Sequence, residues 1–243
     1  MNSQLYTATS GLINEQRRLD LISNNLANAS TSGFRSQRLF SSVYSQRTQD
    51  APASVHAANT SVAPAGAYSV PGPGPVRVTG RDLDIALSEG DLLSVRTAGG
   101  VRYTRAGSLN VSSGGQLTDM AGNPVLNAEQ KPIDGLTAGT AIAADGRVLV
   151  DGVETGRVGV VRDPRGVLIR EGDGLLSARG RDAAMEPVKE PKLMSGWLEG
   201  SGTNALVEMV NLIEAQRAFE SYQKIISLTM NEVNRRAVND LAG

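Results

Sequence analysis

Near its N-terminal end the chain reads LYTATSGLINEQRRLDLISNNLANA (residues 5–29), and leucine recurs at every seventh position of this stretch. The leucine positions are Leu5, Leu12, Leu19 and Leu26. A second row of the same period holds Ala8, Ile22 and Ala29 and is interrupted by Glu15. Four heptads of this kind favour the seam of a coiled coil over one edge of a globular core. We expect the helix to end near Gly33, because glycine readily adopts the left-handed backbone at a helix C-terminus.

The C-terminal end repeats the pattern. The heptad positions there are Leu212, Phe219, Ile226 and Val233, with Tyr222 in a flanking row. Asn204 precedes them as a predicted N-cap. A heptad helix by itself has nothing to bury its seam against, so the two ends are expected to pair with each other or with a neighbouring subunit. The alternative, two ordinary amphipathic helices packed on the central domain, stays open at this point.

The central part of the chain has a different composition. All 10 prolines lie between Pro52 and Pro191, and 21 of the 27 glycines lie between Gly66 and Gly180. Short apolar segments alternate there with turn signals such as Asp145-Gly146 and Asp151-Gly152, which favour primed hairpin turns. No helix-length amphipathic segments separate these strands, so an antiparallel sandwich or barrel-like β domain is expected rather than a parallel sheet.

The predicted fold class is therefore α+β, with long terminal helices paired as a coiled coil around a central antiparallel all-β domain. The expected divisions are an N-terminal helix (1–34), an extended linker (35–75), the β domain (76–191) and a C-terminal helix (192–243).

Composition excludes several classes of protein. The chain has 243 residues, a formal net charge of −1, no cysteine and 4% aromatic residues. Near-neutral charge argues against a nucleic-acid partner, which needs a basic field. No stretch is apolar enough for membrane insertion: the longest segment without charged residues, 51–76, contains five prolines. The first six residues lack the basic and apolar regions of a cleaved signal peptide, so any export is expected to use another route.

Residues that could carry catalysis are scarce. His56 is the only histidine and lies in the proline- and alanine-rich segment, where a held imidazole is not expected. With no cysteine and one histidine, no metal site is predicted, and Gly72-Pro73-Gly74 does not form a dinucleotide-binding motif. Asp82 and Asp84 are expected at a solvated strand edge. We therefore predict no catalytic, cofactor-binding or metal-binding residues, no cofactor and no enzymatic activity.

Two segments resemble the signature of flagellar basal-body rod proteins. Residues 24–34 read NNLANASTSGF, where that family usually has N-N-x-A-N-x-x-T-P-G-F; Ser32 stands in the proline position. Residues 195–204 read SGWLEGSGTN and are followed by EMV (208–210) and QRAFE (216–220), which resemble the family's C-terminal block. Residues 79–87 (TGRDLDIAL) and 103–109 (YTRAGSL) also match family patterns in order. The signature positions are Asn25, Ala27, Asn28, Thr31, Gly33, Phe34, Gly200, Asn204, Gln216 and Arg217.

The resemblance implies an axial protein of the bacterial flagellum. Such a protein is exported unfolded by the flagellar type III apparatus, assembles with itself and other rod subunits into a helical polymer, and is located in the basal-body rod that crosses the periplasm. Its terminal segments pair as a coiled coil and order on assembly, and its β domain faces outward. The assembly interface is then expected at Leu5, Leu12, Leu19, Ile22, Leu26, Leu212, Phe219, Tyr222, Ile226 and Val233.

Within the family, residues 89–95 (EGDLLSV) and 193–201 resemble proximal rod proteins of the F type. Residues 210–219 are closer to distal rod proteins of the G type. Proximal rod is the leading interpretation, and a distal rod or hook-type subunit is the alternative. Outside the family, the alternative is a soluble extracytoplasmic binding module whose helices cap a β domain.

Overall fold

The computed structural model describes residues 2–46, 59–70, 72–166, 168–172, 174–178 and 185–242. The chain divides into two compact units, which alternate along the sequence. Unit 1 comprises residues 1–27, 36–70 and 204–243, and unit 2 comprises residues 28–35 and 71–203. The division differs from the expected one because segment 28–35 belongs to unit 2 and segment 36–70 belongs with the terminal helices.

Unit 1 contains two helices and a hairpin. The elements are α1 (Asn2–Ala27), β1 (Gln37–Gln46), β2 (Asn59–Ser69) and α2 (Ala205–Ala242). The helices pack against each other, and α1 also packs on the antiparallel β1–β2 hairpin. The hairpin occupies most of the expected linker 35–75. Leu39 is half-buried between the exposed Arg38 and Phe40, which is the alternation of a one-sided strand. His56 lies outside the described residues.

The helix boundaries follow local polar chemistry. The first helix ends at Ala27, six residues before Gly33. The following turns are closed by hydrogen bonds from the Thr31 N–H to the Asn28 carbonyl (3.1 Å) and from the Phe34 N–H to the Thr31 carbonyl (3.3 Å). Asparagine, serine and threonine side chains compete with the helical backbone, which explains the early end.

The second helix begins where the sequence predicted. The Asn204 Oδ1 accepts hydrogen bonds from the backbone N–H groups of Leu206 (3.0 Å) and Val207 (3.4 Å). These bonds satisfy two donors that a helix N-terminus otherwise leaves unpaired. The predicted N-cap is thus confirmed.

Unit 2 is built of short strands. In chain order they are β3 (Val76–Val78), β4 (Ile85–Leu87), β5 (Asp91–Thr97), β6 (Gly100–Thr104), β7 (Leu109–Val111), β8 (Leu117–Asp119), β9 (Thr140–Ile142), β10 (Arg147–Val150), β11 (Val153–Arg157), β12 (Val160–Arg162), β13 (Leu168–Gly172), β14 (Leu175–Ala178), β15 (Glu186–Pro187), β16 (Leu193–Ser195) and β17 (Trp197–Glu199).

Every strand pairing among the described residues is antiparallel, as predicted. The largest sheet has the order β13-β14-β6-β5-β12-β15, and β9, β10 and β11 form the expected meander. Asp151 and Gly152 both have positive φ (51° and 85°), as a type I′ turn requires. At Asp145-Gly146 only the glycine has positive φ (84°), so this second predicted primed turn does not form.

One hydrophobic core lies at the centre of unit 2. Its fully buried members include Ile85, Leu93, Leu109, Leu117 and Val148, which come from strands distributed along the whole unit. Because these side chains come from strands distant in sequence, the strand ends and their loops are held rigidly.

Candidate functional site: the helix pair and the signature segments

The two terminal helices make a close, antiparallel contact in unit 1. A Cβ placed on Gly11 would lie 2.6 Å from Cε1 of Tyr222, so the glycine backbone touches the tyrosine ring. Further along the pair, Ile22 of α1 and Glu208 of α2 line one cavity of about 320 Å³. Residue numbers thus rise along α1 as they fall along α2, so the helices are antiparallel. The buried apolar residues of the pair are Ala8 (6% exposed), Ile22 (6%) and Ala215 (0%). Two of the three are small, and small side chains allow helices to approach closely.

The predicted seam residues differ in how far they are buried. Ile22 is buried, whereas Leu5, Leu12, Leu19, Leu26, Leu212, Phe219, Tyr222 and Ile226 are half-buried and Val233 is exposed. All of these heptad residues except Val233 are therefore at least partly shielded from solvent. The heptad pattern did not include Gly11, which contacts Tyr222.

A set of large apolar side chains on α2 is left exposed. It comprises Leu206, Val207, Met209, Val210, Ile213, Ile225, Leu228, Met230 and Val233, and Leu206 is 70% exposed. In unit 2 the corresponding residue types are mostly buried in the core. We refer to this set as the exposed α2 residues.

The signature residue Asn25 anchors the end of α1. It is 2% exposed, and its amide makes two hydrogen bonds to the backbone of Gln37. The Asn25 Nδ2 donates to the Gln37 carbonyl (2.9 Å), and the Gln37 N–H donates to the Asn25 Oδ1 (2.8 Å). The side chain thus imitates a strand partner and fixes the start of β1 to α1. An apolar residue at this position would leave two buried backbone groups unpaired.

In unit 2 the two signature segments meet at Glu199. The Glu199 carbonyl accepts hydrogen bonds from the Gly33 N–H (3.0 Å) and the Ser32 Oγ (2.8 Å). The Gly202 N–H donates to the Phe34 carbonyl (2.8 Å). Ser32, which departs from the family pattern, therefore gains a hydrogen bond that proline could not make.

The Glu199 carboxylate is the centre of a buried ion cluster. It is 2% exposed, and its Oε1 lies 2.9 Å from Arg35 Nη2 and accepts a hydrogen bond from the Gly74 N–H (2.9 Å). Its Oε2 accepts two hydrogen bonds from the buried Arg105, one of them from Nε at 3.0 Å. A buried carboxylate needs such partners, because it would otherwise lose its hydration without compensation. We call Arg35, Arg105 and Glu199 the Glu199 cluster.

A third arginine, Arg170, covers the signature phenylalanine. The Arg170 guanidinium lies 4.4 Å from the centroid of the Phe34 ring, and its Nη2 donates to the Arg35 carbonyl (2.9 Å). Its Nε and Nη1 are buried without a hydrogen-bond partner, so the ring face provides their main electrostatic contact. Burial lowers the pKa of Arg170, and the charge of Arg35 lowers it further. Burial also lowers the pKa of Arg35, although Glu199 opposes this shift.

Glycines make the close approaches in this region possible. Gly33 has φ +67°, and a Cβ there would lie 2.6 Å from the carbonyl carbon of Arg105. Gly200 packs against the Pro75 carbonyl, 3.1 Å from its own Cβ position. Gly33 thus requires glycine for its backbone contact, and the space for a side chain at Gly200 is small.

Sequence reasoning assigned no role to Arg35 or Arg105. A sequence signal for Arg105 did exist, because this residue lies within the YTRAG segment that matched the family. Of the remaining signature positions, Gln216 and Arg217 are exposed on α2, and Ala27 is exposed at the end of α1. Thr31 Oγ1 donates to Asn28 Oδ1 (3.2 Å) within the turn after α1.

The prediction that Asp82 and Asp84 are both solvated is correct only for Asp82. Asp82 is exposed, but Asp84 is buried (3% exposed), and it accepts a hydrogen bond from Ser108 Oγ (3.0 Å) and pairs with Arg81 (3.2 Å). Over the described residues, no group of three or more histidine, cysteine or acidic side chains could hold a metal ion. In the same part of the chain, no helix combines the length and apolar character needed to cross a membrane.

Sequence comparison with known proteins matches the two parts of the chain that contain these contacts. Residues 5–35 match the family described as "Flagella basal body rod protein", and residues 194–240 match "Flagellar basal body rod FlgEFG protein C-terminal". The chain is 33% identical to the flagellar basal-body rod protein FlgF of Caulobacter vibrioides, over 99% of this chain and 98% of the relative. It is 34% identical to FlgF of Escherichia coli, over 97% of both chains. It is 30% identical to FlgG of Bacillus subtilis, over 98% of this chain and 99% of the relative.

The two matched segments contain the elements described above: α1 with the Gly33-Phe34 turn, and β17 with Glu199 followed by α2. Because full-length relatives above 30% identity carry the same family name, the chain belongs to the flagellar basal-body rod protein family.

Proposed function

We propose that this chain is a structural, non-catalytic subunit of the flagellar basal-body rod, and of its proximal part. In this role it assembles with copies of itself and with other rod subunits into a helical shaft that transmits torque across the periplasm. Export by the flagellar type III apparatus, without a cleaved signal peptide, and coiled-coil pairing of the terminal helices are parts of the same proposal. Family membership and the FlgF relatives support it.

The observation that carries the proposal is the distribution of exposed apolar side chains. Ile213 and Leu228 are 56% and 59% exposed on α2, and Tyr6 on α1 is 62% exposed. Apolar surface of this kind on a helix marks an interaction site, because burying it against a partner is favourable. Subunits that bind through unlike surfaces, head to tail, form a filament when the contacts do not close into a ring.

The alternative within the family is a distal rod or hook-type subunit. The FlgG relative of Bacillus subtilis supports this alternative, because it too matches the chain along almost its whole length. The location of the subunit along isolated basal bodies separates the two. Immunogold labelling at the membrane-proximal end of the rod supports the proximal assignment, and labelling at the outer end contradicts it.

The role of the exposed α2 residues is tested with Ile213→Asp. The change is expected to leave the free chain folded, because this side chain is already in water, and to remove the protein from isolated basal bodies. Gln223→Asp, which introduces the same residue at an exposed polar position of α2, serves as the control and should be incorporated normally. Equal incorporation of both variants contradicts the proposal.

Circular dichroism of the dilute chain addresses the binding-module alternative. A rod subunit whose helices order on assembly should have less helix in dilute solution than α1 and α2 together provide, because ordering costs about 1–2 kcal/mol per residue. Fully formed helices in the isolated chain would favour the binding module instead.

A further inference from the structure

The Glu199 cluster consists of two parts that the chain contributes separately. Arg105 donates to the carbonyls of Leu87 (3.3 Å), Ser88 (3.1 Å) and Asp91 (2.8 Å), and to Glu199 twice. These five contacts match the five N–H donors of a guanidinium. Arg105 is therefore held by Glu199 and by the backbone of residues 87–91, without any residue of segment 28–35.

Segment 28–35 supplies the other part. Arg35 pairs with Oε1 of Glu199 and donates to the Gly72 carbonyl. Gly33 and Ser32 donate to the Glu199 carbonyl, and the Phe34 side chain is 2% exposed. Because Arg105 holds Glu199 independently of the segment, the rest of unit 2 presents a preformed binding surface for segment 28–35.

The docked segment lies between the two terminal helices in the sequence contacts: it follows α1 and it is bound by a residue that precedes α2. Phe34 follows the last residue of α1 by seven positions, and its carbonyl is bound by Gly202, which precedes the first residue of α2 by three. Docking of segment 28–35 therefore brings together the two points from which the chain continues into α1 and α2. Two segments joined by short connections pair at a much higher effective concentration than free segments do.

We propose that segment 28–35 docks onto the Glu199 cluster as a separate step, independent of helix pairing, and that this docking prepares the terminal helices to pair. Arg35 and Glu199 are positioning residues in this step: they act on assembly through the segment they hold. The segment is thus ordered in the free subunit, even where the helices themselves are not.

Hydrogen exchange on the full-length chain in dilute solution tests the first half of the proposal. In the wild type, the amides of 28–35 are expected to be protected together with the strands of unit 2. Arg35→Met should speed their exchange by about 100-fold, since it removes one partner of a buried charged pair. Arg38→Met, at an exposed arginine three residues away, should leave their exchange unchanged. Exchange in the wild type as fast as in an unfolded peptide overturns the proposal.

A disulfide that holds segment 28–35 in place of the ion pair tests the second half of the proposal, that docking prepares the terminal helices to pair. A Cβ on Gly202 would lie 3.9 Å from the Arg35 Cα, so the two positions are close neighbours, and the natural chain has no cysteine. Arg35→Cys alone should lower incorporation into isolated basal bodies. Arg35→Cys with Gly202→Cys should restore it when oxidised but not when reduced, and the reduced double variant is the matched control.

The rescue arm rests on the proposed function, whereas the exchange arm does not. If the wild-type chain is absent from basal bodies, the proposed function fails and the exchange result still decides whether segment 28–35 docks. If the wild type is incorporated and the oxidised double variant is not, coupling of docking to helix pairing is overturned. A disulfide also stabilises a folded chain by constraining its unfolded state, so urea unfolding of the same variants is measured beside their incorporation.

Discussion

The backbone of Gly11 lies directly against the phenol ring of Tyr222, with the Cβ position of the glycine 2.6 Å from Cε1 and 2.7 Å from Cζ. Gly11 costs α1 about 1 kcal/mol of helix propensity relative to alanine, so the contact offsets a local disadvantage.

Gly11→Val is therefore expected to separate the two helices and to lower incorporation into basal bodies. Adding Tyr222→Leu, which removes the ring from the same space, should recover part of the loss. Thr9→Val introduces the same residue at an exposed position of α1 and serves as the control. Quantitative immunoblots of isolated basal bodies measure the effect; additive losses in the double variant would contradict direct contact.

Gly33 and Gly80 have nearly the same backbone angle (φ +67° and +71°) but different surroundings. At Gly80 no atom lies within 4 Å of the Cβ position, whereas at Gly33 the Arg105 backbone does. Gly80→Ala should cost about 1 kcal/mol from the left-handed conformation alone. Gly33→Ala should cost about 3 kcal/mol, because overlap with a fixed backbone adds to that strain.

Urea unfolding followed by the fluorescence of Trp197 measures both free energies, since Trp197 is the only tryptophan and lies in β17 beside Glu199. Equal losses of stability for the two alanine variants would show that the Gly33 segment is not held against Arg105 in the free chain.

Much of this architecture is visible in the sequence because it depends on local chemistry. The absence of proline from both ends predicts the helices, Asn204 predicts the start of α2, and Asp151-Gly152 predicts a type I′ turn. Each of these signals acts within a few residues. The family segments also identified the two parts of the chain that meet at Glu199.

Other features could not be predicted, because they arise from residues distant in sequence. Arg105 and Glu199 are separated by 94 positions, and no local pattern marks them as partners. The contact of Gly11 with Tyr222 was not predicted either, because a close approach to a helix backbone requires a small residue, whereas heptad analysis weights large apolar ones. The β1–β2 hairpin was not expected from a segment rich in alanine, serine and proline.

Arg105→Lys is expected to destabilise unit 2 by about 3 kcal/mol, although it keeps the positive charge. A lysine ammonium has three donors, so it cannot serve Glu199 and the carbonyls of Leu87, Ser88 and Asp91 together. The exposed Arg77→Lys is the control and should change the free energy of unfolding by less than about 0.5 kcal/mol. A loss at Arg105 as small as that at Arg77 would mean that charge alone satisfies the cluster.

Leu19→Asp separates the role of the helices from that of unit 2. Leu19 is half-buried on α1, in unit 1, so a carboxylate there should disfavour helix pairing while the strands of unit 2 keep their core. The Trp197 unfolding transition should remain within about 0.5 kcal/mol of the wild type, the range of changes outside a core. Motility and basal-body incorporation should be lost, and Ser23→Asp, at an exposed position of the same helix, should preserve both. Normal swimming with Leu19→Asp would mean that this row of leucines takes no part in assembly, because a charge buried at a helix contact cannot be accommodated without a partner.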